Sequence, residues 1–181
     1  MNGGCGNKAI FLDRDGTINH AVVRNGKPYP PANMKELHLI NGVKEALVRL
    51  KSAGFLLIIV TNQPDVARGT MERNDVEAIN AHLRNELPLD EICVCYDDTD
   101  ASPRRKPNPG MLLDSAKQHG IDLSRSFMVG DRWKDVVAGR RAGCRTVFLD
   151  GGYVEKKNDW PADFTAKSLR EATAWILSLG G

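Results

Sequence analysis

The 181 residues predict an α/β fold: a doubly wound, Rossmann-like parallel sheet with helices on both faces and no separate cap domain. Two observations carry this expectation. Uninterrupted apolar runs recur along the chain, as strands buried on both faces of a parallel sheet require. Most are followed by a stretch whose apolar residues have helical spacing, so βα units alternate. Composition agrees, since 41% apolar and 27% charged residues, without repeats or low-complexity tracts, describe one globular domain over 1–181.

The elements follow in order. A strand over 9–13 (AIFLD) comes after a tail over 1–8 and ends in an acid. Residues 18–40 hold Pro28, Pro30 and Pro31 and are expected to be an irregular loop, and a connection that long usually serves function. Val43, Ala46, Leu47 and Leu50 recur at i, i+3, i+4 and i+7, with Asn41 placed to cap the helix and Gly54 to stop it. A strand over 55–61 (FLLIIVT) precedes a helix over 72–87 marked by Val76, Ile79, His82 and Leu83. Strands over 91–96, 126–130 and 145–149 alternate with helices over 109–118, stopping at Gly120, and 134–142, stopping at Gly143. A short strand over 164–166 and a C-terminal helix capped by Ser168 finish the chain.

Charge and cysteine content narrow the function. With 25 basic and 23 acidic residues the net charge is +2, which offers no electrostatic footprint for nucleic acid or an anionic membrane. The longest apolar run, residues 55–60, is too short to span a bilayer, and MNGGCGNK lacks the apolar core of a secretory signal. Four cysteines are too sparse for a disulfide framework, so a cytoplasmic protein is expected.

Polar residues gather where strands end: Asp13-Arg14-Asp15-Gly16-Thr17, Thr61-Asn62-Gln63, and Gly130-Asp131-Arg132 with Asp135 four residues beyond Asp131. A fourth stretch, Arg104-Arg105-Lys106-Pro107-Asn108-Pro109-Gly110, precedes a predicted helix. Together they suit phosphoryl transfer. Asp13 and Asp131, on different strands, could hold a hard cation such as Mg²⁺ through oxygen ligands. A metal lets an anionic carboxylate approach an anionic phosphate, and that carboxylate can attack phosphorus to give an aspartyl-phosphate. Asp15 could protonate the leaving oxygen and then activate water. The Thr61 hydroxyl and Lys106 ammonium could bind the phosphoryl oxygens.

This pattern, Asp-x-Asp-Gly-Thr, then Thr, then Lys, then Gly-Asp-x-x-x-Asp, resembles the haloacid dehalogenase superfamily from residue 9 to about 152. The phrases AIFLDRDGTIN, VTNQ, ARG, RKPNPGML and MVGD look like its heptose-bisphosphate and histidinol-phosphate phosphatase group. The resemblance implies Asp13 as nucleophile and Asp15 as general acid/base. It implies Mg²⁺ on Asp13, Asp131 and the Asp15 backbone carbonyl. It also implies Thr61 and Lys106 on the phosphoryl group, and Asn62, Gln63, Arg105 and Arg132 on substrate. Asp135 is expected to orient Lys106 or the metal shell. The implied substrate is a small phosphate ester, above all a sugar phosphate, with histidinol phosphate as the alternative. A phosphate-binding or scaffold protein without turnover is the non-enzymatic reading.

Two features depart from the group. Its zinc loop uses three cysteines and a histidine before Arg-Lys-Pro. Here Asp97 stands in the histidine's place and no cysteine lies between Cys95 and Arg105, so no zinc is expected. Residues 21–24, which are expected to face the substrate entry, and Pro64 also differ. His20, His38, His82 and His119 share no ligand spacing, and Cys93, Cys95 and Cys144 are read as packing residues. Trp133 could cover the site or pack, and oligomeric state is left open.

Overall fold

The computed structural model describes residues 6–24, 27–152 and 161–179. In chain order its elements are β1 (Lys8–Leu12), β2 (Val22–Arg24), β3 (Lys27–Tyr29), α1 (Val43–Ser52), β4 (Phe55–Asn62), α2 (Arg73–Glu86) and β5 (Glu91–Cys95). They continue with α3 (Gly110–His119), a 3₁₀ turn (Leu123–Arg125), β6 (Phe127–Gly130), α4 (Trp133–Ala142), β7 (Arg145–Leu149), β8 (Phe164–Ala166) and α5 (Leu169–Leu179). Six strands form one parallel sheet in the order β5-β4-β1-β6-β7-β8, with Phe11 of β1 opposite Ile58 of β4 and Met128 of β6. No helix among the described residues is long and apolar enough to cross a membrane.

Strand side chains alternate between the two faces, and the core divides accordingly. Ala9 and Phe11 of β1 join Met111 and Leu112 of α3 and Ala138 of α4. Ile10 and Leu12 join Leu47 of α1, Ile79 of α2 and Ile176 of α5 on the other face. Both faces are thus covered, which is why the central strands read as continuous apolar runs. The chain leaves β1 for β4 on one side and later returns to β6 on the other. That reversal opens a crevice at the carboxyl ends of β1, β4 and β6.

Three local expectations are corrected. Residues 18–40 are not wholly irregular, because β2 and β3 pair antiparallel as a hairpin. Three-residue strands containing Pro28 carry too little pattern to be recognised, and Val23 is 55% exposed, so no apolar run betrays them. Asn41 does not cap α1; Gly42 holds that position at φ 82° with no side-chain cap. The tail also ends earlier than residue 8, since the Asn7 N–H donates to Gly120 O and Asn7 O accepts from the Asp122 N–H. Cys5 lies outside the described residues. Ser168 does cap α5, its Oγ accepting the Glu171 N–H at 3.2 Å while the Glu171 carboxylate accepts the Lys167 N–H at 2.8 Å.

Candidate active site

Four charged side chains meet at the crevice. Asp13 follows β1, Asp131 follows β6, Asp135 sits in the first turn of α4, and Lys106 precedes α3. All are buried. The Lys106 ammonium donates to Asp13 Oδ1 at 2.7 Å and to Asp135 Oδ1 at 2.6 Å. Asp135 Oδ2 accepts the Arg132 N–H at 3.0 Å, which ties α4 to the end of β6. Oxygens of Asp13, Asp131 and Asp135 lie within 4.8 Å of one another.

Three carboxylates around one ammonium leave a surplus of negative charge in a dry place. Burial raises Asp13 to about 6; Lys106 opposes the rise, while Asp135 and Asp15 add to it. Burial raises Asp131 to about 9, with Asp13 and Asp135 pushing the same way. For Lys106, burial works against the charge, but Asp13 and Asp135 outweigh it and lift the ammonium above its ordinary range. Neither carboxylate oxygen of Asp131 has a hydrogen-bond partner among the described residues. Buried charges without partners are costly. An all-oxygen cluster with unpartnered oxygens and surplus negative charge therefore fits a hard divalent cation such as Mg²⁺.

Gly16 makes room for this cluster. Its φ is +94°, and a Cβ built there would lie 2.0 Å from Asp131 Oδ2. Gly16→Ala should therefore displace the Asp131 carboxylate and cost about 1–3 kcal/mol, read as a shift in the urea midpoint. An unchanged midpoint would show that Asp131 has space to move.

Asp15 has a different surrounding. Its Oδ1 accepts from Arg14 Nε at 3.1 Å and Asn19 Nδ2 at 3.0 Å; its Oδ2 accepts from Arg14 Nη2 at 3.1 Å and Gln63 Nε2 at 2.8 Å. Arg14 is fully buried and also donates from Nη1 to Asn80 Oδ1 of α2 at 2.9 Å. Thr61 is buried at the end of β4, and its Oγ1 accepts from Gln63 Nε2 at 2.9 Å. Asn62 clamps the loop, its Nδ2 donating to Lys106 O at 3.0 Å and its Oδ1 accepting the Lys106 N–H at 3.1 Å. Gln63 is 0% exposed, behind the crevice wall rather than in it.

The crevice holds a cavity of about 310 Å³ into which Asp13, Asp15, Thr61, Lys106 and Asp135 all face. Asn62, Arg105 and Arg132 line it too. Arg105 is held by Asp100, which accepts its Nε–H at 3.1 Å, and by Asp97 O, which accepts from Nη1 at 2.9 Å. Asp97 Oδ2 takes the Ser102 hydroxyl, and Asn108 donates to Asp100 O and Ser102 O. The loop between β5 and α3 is thus laced by its own polar groups. Cys93, Cys95 and Cys144 pack in the sheet core, and burial pushes the Cys93 thiol up to about 11. Trp133 does not line the cavity.

Sequence reasoning reached the rest of the lining only in part: residues 21–24 were expected to face the substrate entry, and Ala21 does line the cavity. Ala21, Pro28, Tyr29 and Pro30 of the hairpin region line the cavity, as do Arg68 and Lys134. Position alone could have suggested Arg68, within the ARG phrase, and Lys134, three residues past Asp131. For Pro28, Tyr29 and Pro30 the only signal was the length of the 18–40 connection, which singles out no residue.

Comparison with known proteins agrees with this geometry. Residues 103–172 match the family model described as HAD-hydrolase-like. The chain is 37% identical over 188 residues to a D-glycero-beta-D-manno-heptose-1,7-bisphosphate 7-phosphatase of Pasteurella multocida, covering 95% of this chain and 98% of that protein. A crystal structure of a putative HAD-like phosphatase from Mesorhizobium loti shares 32% identity at a TM-score of 0.76, covering 97% of this chain and 88% of that one. That of D,D-heptose 1,7-bisphosphate phosphatase from B. bronchiseptica, complexed with magnesium and phosphate, shares 26% identity at a TM-score of 0.77, covering 95% and 99%. Carboxylates at the ends of β1 and β6, a buried lysine bonded to Asp13 and Asp135, and relatives of this identity over nearly the whole chain place the protein in the haloacid dehalogenase-like family of phosphatases.

Proposed function

We propose that the chain is a Mg²⁺-dependent phosphatase acting in the cytoplasm on a phosphorylated sugar, with D-glycero-D-manno-heptose 1,7-bisphosphate as the leading substrate. The observation that carries the reading is the Asp13–Asp131–Asp135 cluster around Lys106, with both Asp131 oxygens left for a ligand. Asp13, Asp131 and the Asp15 backbone carbonyl would hold the metal, which supplies charge neutralisation of the phosphate when bound.

An Asp13 carboxylate oxygen attacks phosphorus; the bond from phosphorus to the ester oxygen breaks as the new one forms. Asp15 donates a proton to the departing oxygen and then takes one from the water that hydrolyses phospho-Asp13. All four hydrogen bonds onto Asp15 approach its carboxylate oxygens, so the acid step requires at least one of them to be released. Lys106 and Thr61 face the cavity and bind phosphoryl oxygens there. Arg68, Arg105, Arg132 and Lys134 line the same cavity, Arg68 paired with Asp65 and Arg105 with Asp100, and these guanidinium and ammonium groups would receive a second anionic group of the substrate.

The test is Mg²⁺-dependent release of inorganic phosphate across a panel holding the heptose bisphosphate, other sugar phosphates and histidinol phosphate. Fastest turnover of the heptose bisphosphate, abolished by EDTA, is expected. Histidinol phosphate turned over fastest would replace the substrate, and no release from any member would leave only phosphate binding.

Metal binding should depend on pH in a definite direction. Between pH 3.8 and about 9 the folded, metal-free protein keeps a proton on Asp131 that the unfolded chain has given up. Stability of the EDTA-treated protein therefore falls as pH rises through this window. Mg²⁺ must displace that proton, so the rise in melting temperature that it produces should be larger near pH 9 than near pH 6. Differential scanning fluorimetry with and without Mg²⁺ measures this, and an equal rise at both pH values would contradict it.

A further inference from the structure

The Gln63 amide faces two oxygen atoms at once, Asp15 Oδ2 at 2.8 Å and Thr61 Oγ1 at 2.9 Å. Which end of the amide does so is fixed by chemistry. Both Asp15 oxygens accept from the Arg14 guanidinium and one also from Asn19, so the group that completes this set of donors is the NH₂. The reversed amide would set Oε1 against the carboxylate. Asp15 itself cannot turn freely, since the fully buried Arg14 grips both its oxygens and is in turn tied to Asn80. The Gln63 main-chain N–H donates to Cys95 O at 2.8 Å, which fixes the residue between β4 and β5.

The consequence falls on Thr61. A hydroxyl has one proton and two acceptor lone pairs. With Gln63 donating to its oxygen, the Thr61 proton points elsewhere, and Thr61 lines the cavity. We propose that Gln63 is a positioning residue that sets the polarity of Thr61: the Asp15 carboxylate orients the Gln63 amide, and the amide turns the Thr61 hydroxyl into a donor aimed at a phosphoryl oxygen. Gln63 need not touch substrate. The proposal rests on the reading of the cavity as a phosphate site.

Titration calorimetry of inorganic phosphate into the full-length, Mg²⁺-loaded protein tests it through a double-mutant cycle. Gln63→Met and Thr61→Val should each weaken phosphate binding about tenfold, the loss of one hydrogen bond to an anion. The double variant should bind within about twofold of Thr61→Val alone, because Gln63 acts through that hydroxyl. Thr61→Ser should restore most of the affinity. If Gln63→Met does not fold, Gln63→Leu serves instead, being apolar, of similar size and unable to donate or accept. Multiplying effects, an unchanged affinity in the Gln63 variant, or a parent protein that binds no inorganic phosphate would each overturn the proposal. Phosphate binding with the expected coupling but no turnover of any ester would sink the hydrolytic reading and leave the polarity relay standing.

Discussion

Asp13→Asn should lower kcat by about 10⁴-fold or more, the scale seen when a covalent nucleophile is removed from a working constellation. The amide keeps the shape of the carboxylate but cannot attack phosphorus as an anion. It should do little harm to the fold, because burial already raises Asp13 to about 6 and a neutral group is easier to bury there. Lys106 keeps its contact with Asp135. The melting temperature should therefore stay within a few degrees of the parent while steady-state phosphate release disappears. Turnover within about tenfold of the parent would remove Asp13 from the nucleophile's role.

Lys106→Met should damage both fold and function. The ammonium is the cation that the Asp13 and Asp135 carboxylates share, and its side chain is 3% exposed. Removing one partner of a buried ion pair costs about 3–5 kcal/mol, because the remaining charge is left without compensation. For a chain of this length that corresponds to a fall of roughly 6–20 °C in melting temperature. Mg²⁺ should recover part of the fall, since a divalent cation can neutralise the exposed surplus of carboxylates. Activity should drop by at least about 10²-fold, as for removal of a donor to a developing oxyanion. Thermal scans in EDTA and in Mg²⁺ read the first effect, and an unchanged melting temperature in EDTA would show that Lys106 carries no such charge balance.

Much of the fold was legible because β1, β4 and β6 are buried on both faces and had to be written as unbroken apolar runs. The acids ending those runs were legible for the same reason, since a charge directly after a core strand calls for an explanation. Asp135 was expected to orient Lys106 or the metal shell, and its contact with Lys106 agrees; its second contact, with the Arg132 N–H, carried no sequence signal, because only the turn into α4 brings the two together. Arg14 was invisible as a buried residue, because arginines are seldom fully buried and its partners Asp15 and Asn80 come from separate segments. Gln63 followed Thr61 and Asn62 in sequence and was read with them toward substrate. Its contacts with Asp15 and Thr61 take up the amide, and full burial keeps it behind the wall.

The β2–β3 hairpin divides labour within the cavity. Asp13, Asp15 and Lys106 belong to the carboxyl edge of the large sheet, whose spacing is fixed by a close-packed core, whereas the hairpin pairs in a sheet of its own. Substitutions at Ala21 or Tyr29 can therefore reshape the volume open to the substrate without straining the strands that hold the carboxylates. Part of the selectivity is thus separable from the chemistry in this chain. A library confined to the hairpin would explore new phosphate esters from an unchanged reaction centre.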